Sequence, residues 1–430
     1  MNRNIIRALL VILAVAAFPS SALANGFFIY EGSTAGMGQG GATIADGSDS
    51  TAAFYNPAGL AMVGCKPGTS NIGCTKANLG VDIQLTYTLY LPSGSFKTPD
   101  GKTTDQTSSP VSVPAFFASY KALDWLSAGV GLYTMYGLAI SWPKDWVGRD
   151  LIVSSSLQST QLQPTLAFGP FKGFSFGGGV DFLFGAVDIH RGMNFGDGTS
   201  NWSTQIGGTA FAVGYNLGLF YNPIKQLNIG AVYHSKITVD LDPGKVYFKV
   251  PDTFKKNFLV TNQEVRTSLT LPQVIGIGVR GKPIDDLELE LDALYVGWWD
   301  YRSLTFKFNT PPGAPSLDQT AVKDWHDAWQ VRFGAQYKLS KTAAKGLAFR
   351  LGVIWDQSPV PDSTLDPMLP DSERVDVSVG LGYSFWKMRV DIAYMLVYFF
   401  PKTVDATVNQ FPGTYNTMAN VLSLGVGANF

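Results

Sequence analysis

Few residues in this chain are suited to chemistry. It has 430 residues but only two cysteines, Cys65 and Cys74, and three histidines, His190, His234 and His326. A hydrolase needs a nucleophile with a positioned base. The one neighbouring pair of that kind, His234 and Ser235, would point to opposite faces of a strand, so no enzyme is expected. Basic residues are not in excess: 32 Lys and Arg face 33 Asp and Glu, which gives no electrostatic footprint for nucleic acid. Nor is there a histidine near the cysteines to complete a zinc shell, so no metal and no cofactor are expected. After the first twenty residues, no run approaches the ~18 apolar residues that a membrane-spanning helix needs.

What is present starts with an export signature. Arg3 and Arg7 precede the apolar run 8–18, and Ala22, Leu23 and Ala24 form a small-residue cleavage site before Asn25. Residues 1–24 therefore read as a removed signal peptide. In an oxidising compartment, Cys65 and Cys74 are expected to close a small loop as a disulfide, with a metal site as the weaker alternative. Their pairing would contribute roughly 2 to 3 kcal/mol.

The chain is 46% hydrophobic and 13% aromatic, with 46 glycines, and its apolar residues alternate. From Val81 to Leu89, the odd-numbered positions are apolar and the even-numbered ones polar. The same period of two recurs at 287–292, with Glu288, Glu290 and Asp292 on the wet face, and at 375–385, and it ends in Leu422, Leu424, Val426, Ala428 and Phe430. Carboxylates on the inner face of a soluble sheet would be costly, whereas a barrel turns them into a hydrated lumen.

Turn signals divide 81–430 into about fourteen strands, joined alternately by short turns and long polar loops, as in an outer-membrane barrel. The expected fold is thus all-β: a transmembrane antiparallel β-barrel in the bacterial outer membrane. Trp125, Trp142, Trp146, Trp298, Trp299, Trp325, Trp329 and Trp386 lie near strand ends, where an interfacial girdle would place them. Residues 25–80, rich in small residues and lacking sustained alternation, form either a periplasmic domain or a hatch inside the lumen, and their few charges and many small residues favour the hatch. Such a barrel has outer-membrane lipid and lipopolysaccharide as its surroundings.

The hatch carries a resemblance. Asn25-Gly26-Phe27-Phe28 and the stretch to Gly47, followed by Phe54-Tyr55-Asn56-Pro57-Ala58-Gly59-Leu60, resemble the N-terminal hatch of the FadL family, with Asn56-Pro57-Ala58 matching its hatch motif. Further matches run through 136–146, 233–238, 269–272 and 350–360. The resemblance implies a monomeric fourteen-stranded barrel that captures long-chain fatty acids or other hydrophobic small molecules. It also implies a ligand pocket lined by Asn25, Gly26, Phe27 and Phe28, and sideways release through a kink in the third strand, about 126–140 here. Gly129, Gly131 and Gly137 lie in that strand; they either let it bend or relieve crowding against the hatch. The basic residues that would hold a fatty acid carboxylate are not placed by any motif. Candidates are Arg191, beside Asp188 and His190, together with Lys323 and Arg332. Without such a clamp, the family's branch for monoaromatic hydrocarbons would fit better, and a general diffusion porin is the remaining alternative.

Overall fold

The computed structural model describes residues 26–67, 74–77, 80–194, 202–252, 262–310, 316–340 and 344–430. Residues 1–24 and Asn25 lie outside this set, as do the side chains of Cys65 and Cys74, so the expected signal peptide and disulfide fall outside the described residues.

Fourteen wall strands close into an antiparallel barrel. They are β1 (Val81–Lys97), β2 (Val111–Leu123), β3 (Leu126–Tyr133 and Gly137–Ser141), β4 (Ser154–Phe171), β5 (Phe174–Gly192), β6 (Ser203–Ile224) and β7 (Leu227–His234 and Ile237–Lys249). The others are β8 (Gln263–Leu271 and Gln273–Ile284), β9 (Leu287–Gly297 and Ser303–Phe308), β10 (Gln319–Val322 and Ala328–Lys338), β11 (Leu347–Asp356), β12 (Arg374–Phe385), β13 (Met388–Phe399 and Lys402–Val404) and β14 (Gly413–Asn429). The seam between β14 and β1 is fully paired, from Thr414 opposite Lys97 to Asn429 opposite Asp82. No sheet edge is left there to be satisfied by water, as a wall in lipid requires.

Period two sorts the side chains. On β6, Phe211, Val213, Tyr215, Leu217 and Leu219 are each about half exposed or more, while the intervening Ala212 and Asn216 are buried. On β14, Leu422, Leu424 and Val426 face outward in the same way. In water this would be an untenable apolar surface; in a bilayer it is the lipid contact.

The tryptophan girdle is half as large as the sequence suggests. Trp125, Trp299, Trp329 and Trp386 are exposed on the outside, but Trp142, Trp146, Trp298 and Trp325 are 4% exposed or less and point inward. Trp142 and Trp146 stack at 4.4 Å beneath the extracellular loops. Their indole N–H groups donate to the carbonyls of Pro367 (3.0 Å) and Ile152 (2.7 Å).

The lumen is filled by residues 26–62, built from two short helices, α1 (Thr34–Gly38) and α2 (Ala52–Tyr55), and a 3-10 turn over Pro57–Met62. None could persist alone, because nucleating so short a helix is unfavourable. Wall and caps hold them instead. Ser33 Oγ accepts from Gly36 N to start α1, and Asn56 caps the 3-10 turn with Pro57 preset at its first position. The wet-face carboxylates of β9 do not face water: Asp292 accepts from Thr43 N (2.8 Å) and Ile44 N (3.0 Å), and Glu290 accepts from Ala45 N (2.6 Å). Inner-facing glycines give the segment room. A Cβ at Gly352 would overlap the backbone of Gln39 and Gly40, and one at Gly218 would overlap the Asn56 side chain.

Candidate functional site: a plugged lumen beside a broken wall strand

Two kinds of inner wall meet at the middle of the barrel. Towards the short turns it is polar and grips the inner segment. Arg280 pairs with Asp46 (2.7 Å), Glu288 (2.6 Å) and Glu290 (2.9 Å), and Arg389 pairs with Asp49 (2.8 Å). Towards the long loops it turns apolar. Leu157, Leu183, Val187, Val239, Leu241 and Leu269 line a narrow cavity closed on one side by Tyr136. This cavity belongs to an apolar cluster continuous with Phe27, Phe28 and the buried tryptophans.

Phe27 sits in a box of rings. Its centroid lies 4.8 Å from Trp298 and 6.1 Å from Tyr301, both edge-on, and 5.9 Å from Trp325. The box exists because β9 and β10 both break at this height: a 3-10 turn over Trp298–Asp300 interrupts β9, and residues 323–327 interrupt β10. Gly26 has φ +67, and its Cα faces the Trp298 and Trp325 rings, so only glycine fits there. Its N–H reaches Asp371 Oδ2 at 3.4 Å, and Ser358 Oγ donates to the same oxygen at 2.8 Å. Burial pushes the Asp371 carboxyl up to about 7.

One residue further on, the inner segment pairs with the wall. Gly137 N donates to Phe27 O (2.9 Å) and Ile29 N donates to Met135 O (2.8 Å), making an antiparallel bridge between Phe28 and Tyr136. These partners lie at the break in β3, whose ladder with β2 stops at Phe116 opposite Leu132. Beyond it, Gly137–Ser141 pairs only with β4.

The three glycines of β3 have separate surroundings. Gly129 faces Leu60 of the hatch, where a Cβ would come within 2.6 Å of a methyl; Gly131 faces the Phe117 and Tyr133 rings. Gly137 supplies the N–H just described. Asn56 Nδ2 donates to Ile44 O (2.9 Å) and Leu219 O (3.0 Å), and its Oδ1 accepts from Ala58 N (3.2 Å). The motif thus ties two parts of the hatch to each other and to β6.

The basic candidates also separate. Arg332 is committed to the hatch: it donates to Gly40 O (3.0 Å) and lies over the Tyr30 ring at 4.7 Å. His190 and Asp188 pair at 2.6 Å on the outer face of β5. Arg191 and Lys323 have their contacts outside the hatch. Lys323 is buried and paired with Asp366, while Arg191 contacts Gln319 (3.3 Å) through Nη1 and its buried Nε has no partner among the described residues. Both cations are within electrostatic reach of the single Asp366 carboxylate. Sequence reasoning missed the aromatic box, although Trp298, Tyr301 and Trp325 clustered around strand interruptions were the available signal. His234 and Ser235 form no dyad: Ser235 Oγ accepts from Tyr215 N at 2.9 Å, and both ring nitrogens of buried His234 are unpartnered among the described residues.

Known proteins share this architecture. A solved FadL homologue from Pseudomonas aeruginosa superimposes with a TM-score of 0.79 at 20% identity, covering 94% of this chain and 99% of that one. The toluene transporter TodX of Pseudomonas putida gives 0.70 at 15% identity, over 93% and 99%. The long-chain fatty acid transport protein of Escherichia coli is 23% identical over 408 residues, 87% of this chain and 86% of its own length. The profile of one family, described as outer membrane protein transport protein (OMPP1/FadL/TodX), matches residues 14–430. With a plugged fourteen-stranded barrel on one side and a match over nearly the whole chain on the other, this protein belongs to that family of outer-membrane transporters.

Proposed function

We propose that this chain takes up long-chain fatty acids or closely related amphiphiles through the outer membrane, without an energy source, and releases them sideways through the break in β3. The observation that carries this reading is the dual engagement of the N-terminal segment. Phe27 fills the aromatic box that ends the apolar pocket, and the same residue's carbonyl, with Ile29 N, occupies backbone groups at the break. A ligand that takes the box displaces Phe27 and withdraws the strand that covers the break. Binding is thereby converted into opening, because the ligand favours one of two positions of the segment.

The substrate class is argued from charge. Lys323 pairs with Asp366, and Arg191 lies within reach of the same carboxylate with none of its own among the described residues, which leaves one cation to receive an anionic head. The apolar wall then accepts the chain, where each methylene removed from water contributes about 0.8 kcal/mol. A sideways exit keeps that chain out of water throughout, which an aqueous channel would not. The filled lumen speaks against a general diffusion porin. A second reading, uptake of monoaromatic hydrocarbons, is favoured by the ring box that already holds a phenyl group.

Uptake of labelled oleate and labelled toluene by cells lacking their own carriers tests both. The expected result is oleate uptake that requires residues 25–28. Toluene uptake alone would move the assignment to the second reading, and ion conductance without uptake of either would discard both.

A further inference from the structure

We propose that the lipid-facing side of the wall carries a separate binding groove at the mouth of the β3 break, which receives the single-chain amphiphile as it leaves the lumen. The inference rests on the uptake reading above.

The wall is open between β2 and the outer half of β3. Val111–Ala115 pair with β1 but not with β3, and the gap is bridged at its top by Thr107 N donating to Ser141 O at 2.8 Å. A cavity of about 200 Å³ occupies this slot. Its lining mixes inward side chains (Val111, Ile140, Ser155) with outward ones (Ser154, Ser156), so it passes from one side of the wall to the other.

Immediately below the slot, Gln158 stands opposite Gly137 in the register. From Gln158 a groove of about 590 Å³ crosses the outer face of β4, β5 and β6, with Thr160, Phe184, Ala186, Thr209 and Phe211 along it. Its floor is made of small residues. Gly185 and Ala210 line this groove on the outside and the apolar lumen pocket on the inside, so the two sites are separated by little more than backbone.

The chemistry of the lining points to an amphiphile. Phe184 and Phe211 are about half exposed and pack at 5.3 Å, giving an apolar rail in contact with lipid. Thr160 continues this rail opposite Phe184, while Gln158 and Thr209, flanking Ala186 in the next row, supply donors along the other side. A hydrocarbon would leave those donors unused, and a sugar on a lipid-facing surface would strip its many hydroxyls of water with only a few partners in return. A molecule with one polar head and one chain satisfies both. Continuity with the slot makes the transported molecule the occupant, held with its head at the polar row while its chain enters the outer leaflet.

Filling the groove from the outside tests this without touching lumen or slot. Ala186→Trp does so, and Val379→Trp, outward on the far wall, is its control. Purified wild type and both variants are titrated with oleate calorimetrically, and labelled oleate uptake is measured in cells. Ala186→Trp is expected to bind oleate as wild type does while uptake slows about fivefold or more, with Val379→Trp unchanged in both. Uptake by folded Ala186→Trp equal to wild type would overturn the proposal. If that variant does not fold, a diazirine-bearing palmitate on the wild type replaces it. Adducts on residues 158–160 and 184–186 in excess over 377–381 would support the groove, and equal labelling of the two walls would overturn it. The failure of the uptake reading looks different, since the wild type would then bind no oleate, and the groove would fall with it.

Discussion

Asn56 satisfies three backbone groups with one side chain: the Ile44 and Leu219 carbonyls and the Ala58 N–H. The Ile44 carbonyl and the Ala58 N–H are buried, so Asn56→Ala would strand them at about 1–3 kcal/mol. The hatch should then unfold at lower urea than the wall, seen as earlier protease cleavage within residues 26–62. Simultaneous loss of hatch and wall would contradict this. Arg191 and Lys323 allow a sharper test. Replacing either with alanine should weaken oleate binding by about tenfold or more, the value of a charge-assisted contact, and leave toluene binding unchanged. An equal loss for both ligands would assign these residues to packing. Legibility at this scale was uneven. Asn56-Pro57-Ala58 stood out by its resemblance to the FadL hatch motif, whereas the adjacent Trp298 and Trp299 could not both face lipid. Only the tertiary break in β9 determines that Trp298 is 0% exposed and Trp299 61%.

The elements were largely readable from alternation, because each wall strand has lipid on one side and lumen on the other. What alternation does not carry is where a ladder stops. The sequence draws attention to the glycines of β3, yet the break is at residues 134–136, between Gly131 and Gly137. It exists because β2 and the N-terminal segment compete for that side of β3, and the segment lies about a hundred residues away in sequence. Gly137→Pro removes the N–H that Phe27 O accepts. It should speed amide exchange at Ile29 and raise oleate uptake at low ligand concentration, since less of the binding energy goes into displacing the segment. Slower uptake, with Ile29 exchange unchanged, would show that the bridge does not restrain opening. The carboxylates of β9 teach a related lesson. Their alternation was correctly read as inward, but Glu290 and Asp292 meet hatch amides and Glu288 meets wall cations rather than water, which a local pattern does not reveal.

On the scale of the whole molecule, a lipid-facing band surrounds a lumen that is gripped by charge near the short turns and apolar near the long loops. Arg280 holds both together, paired with the hatch through Asp46 and with the wall through Glu288 and Glu290. Arg280→Ala would leave Asp46 and Glu290 without their cation, while Glu288 keeps Lys338 at 3.1 Å, a loss of about 3–5 kcal/mol. Planar bilayers containing that variant are expected to show intermittent ion conductance where the wild type is silent; silence in both would mean that other contacts suffice to seat the hatch. The barrel seam adds one thing more. Thr34 of α1 hydrogen-bonds to Ser423 of β14 at 2.7 Å, Ser423 in turn to Thr88 of β1 at 2.9 Å, and Gly425 of β14 leaves space only for Thr34. Plug and closure are thus stitched together: through Ser423, one hatch hydroxyl is linked to both of the strands that complete the ring.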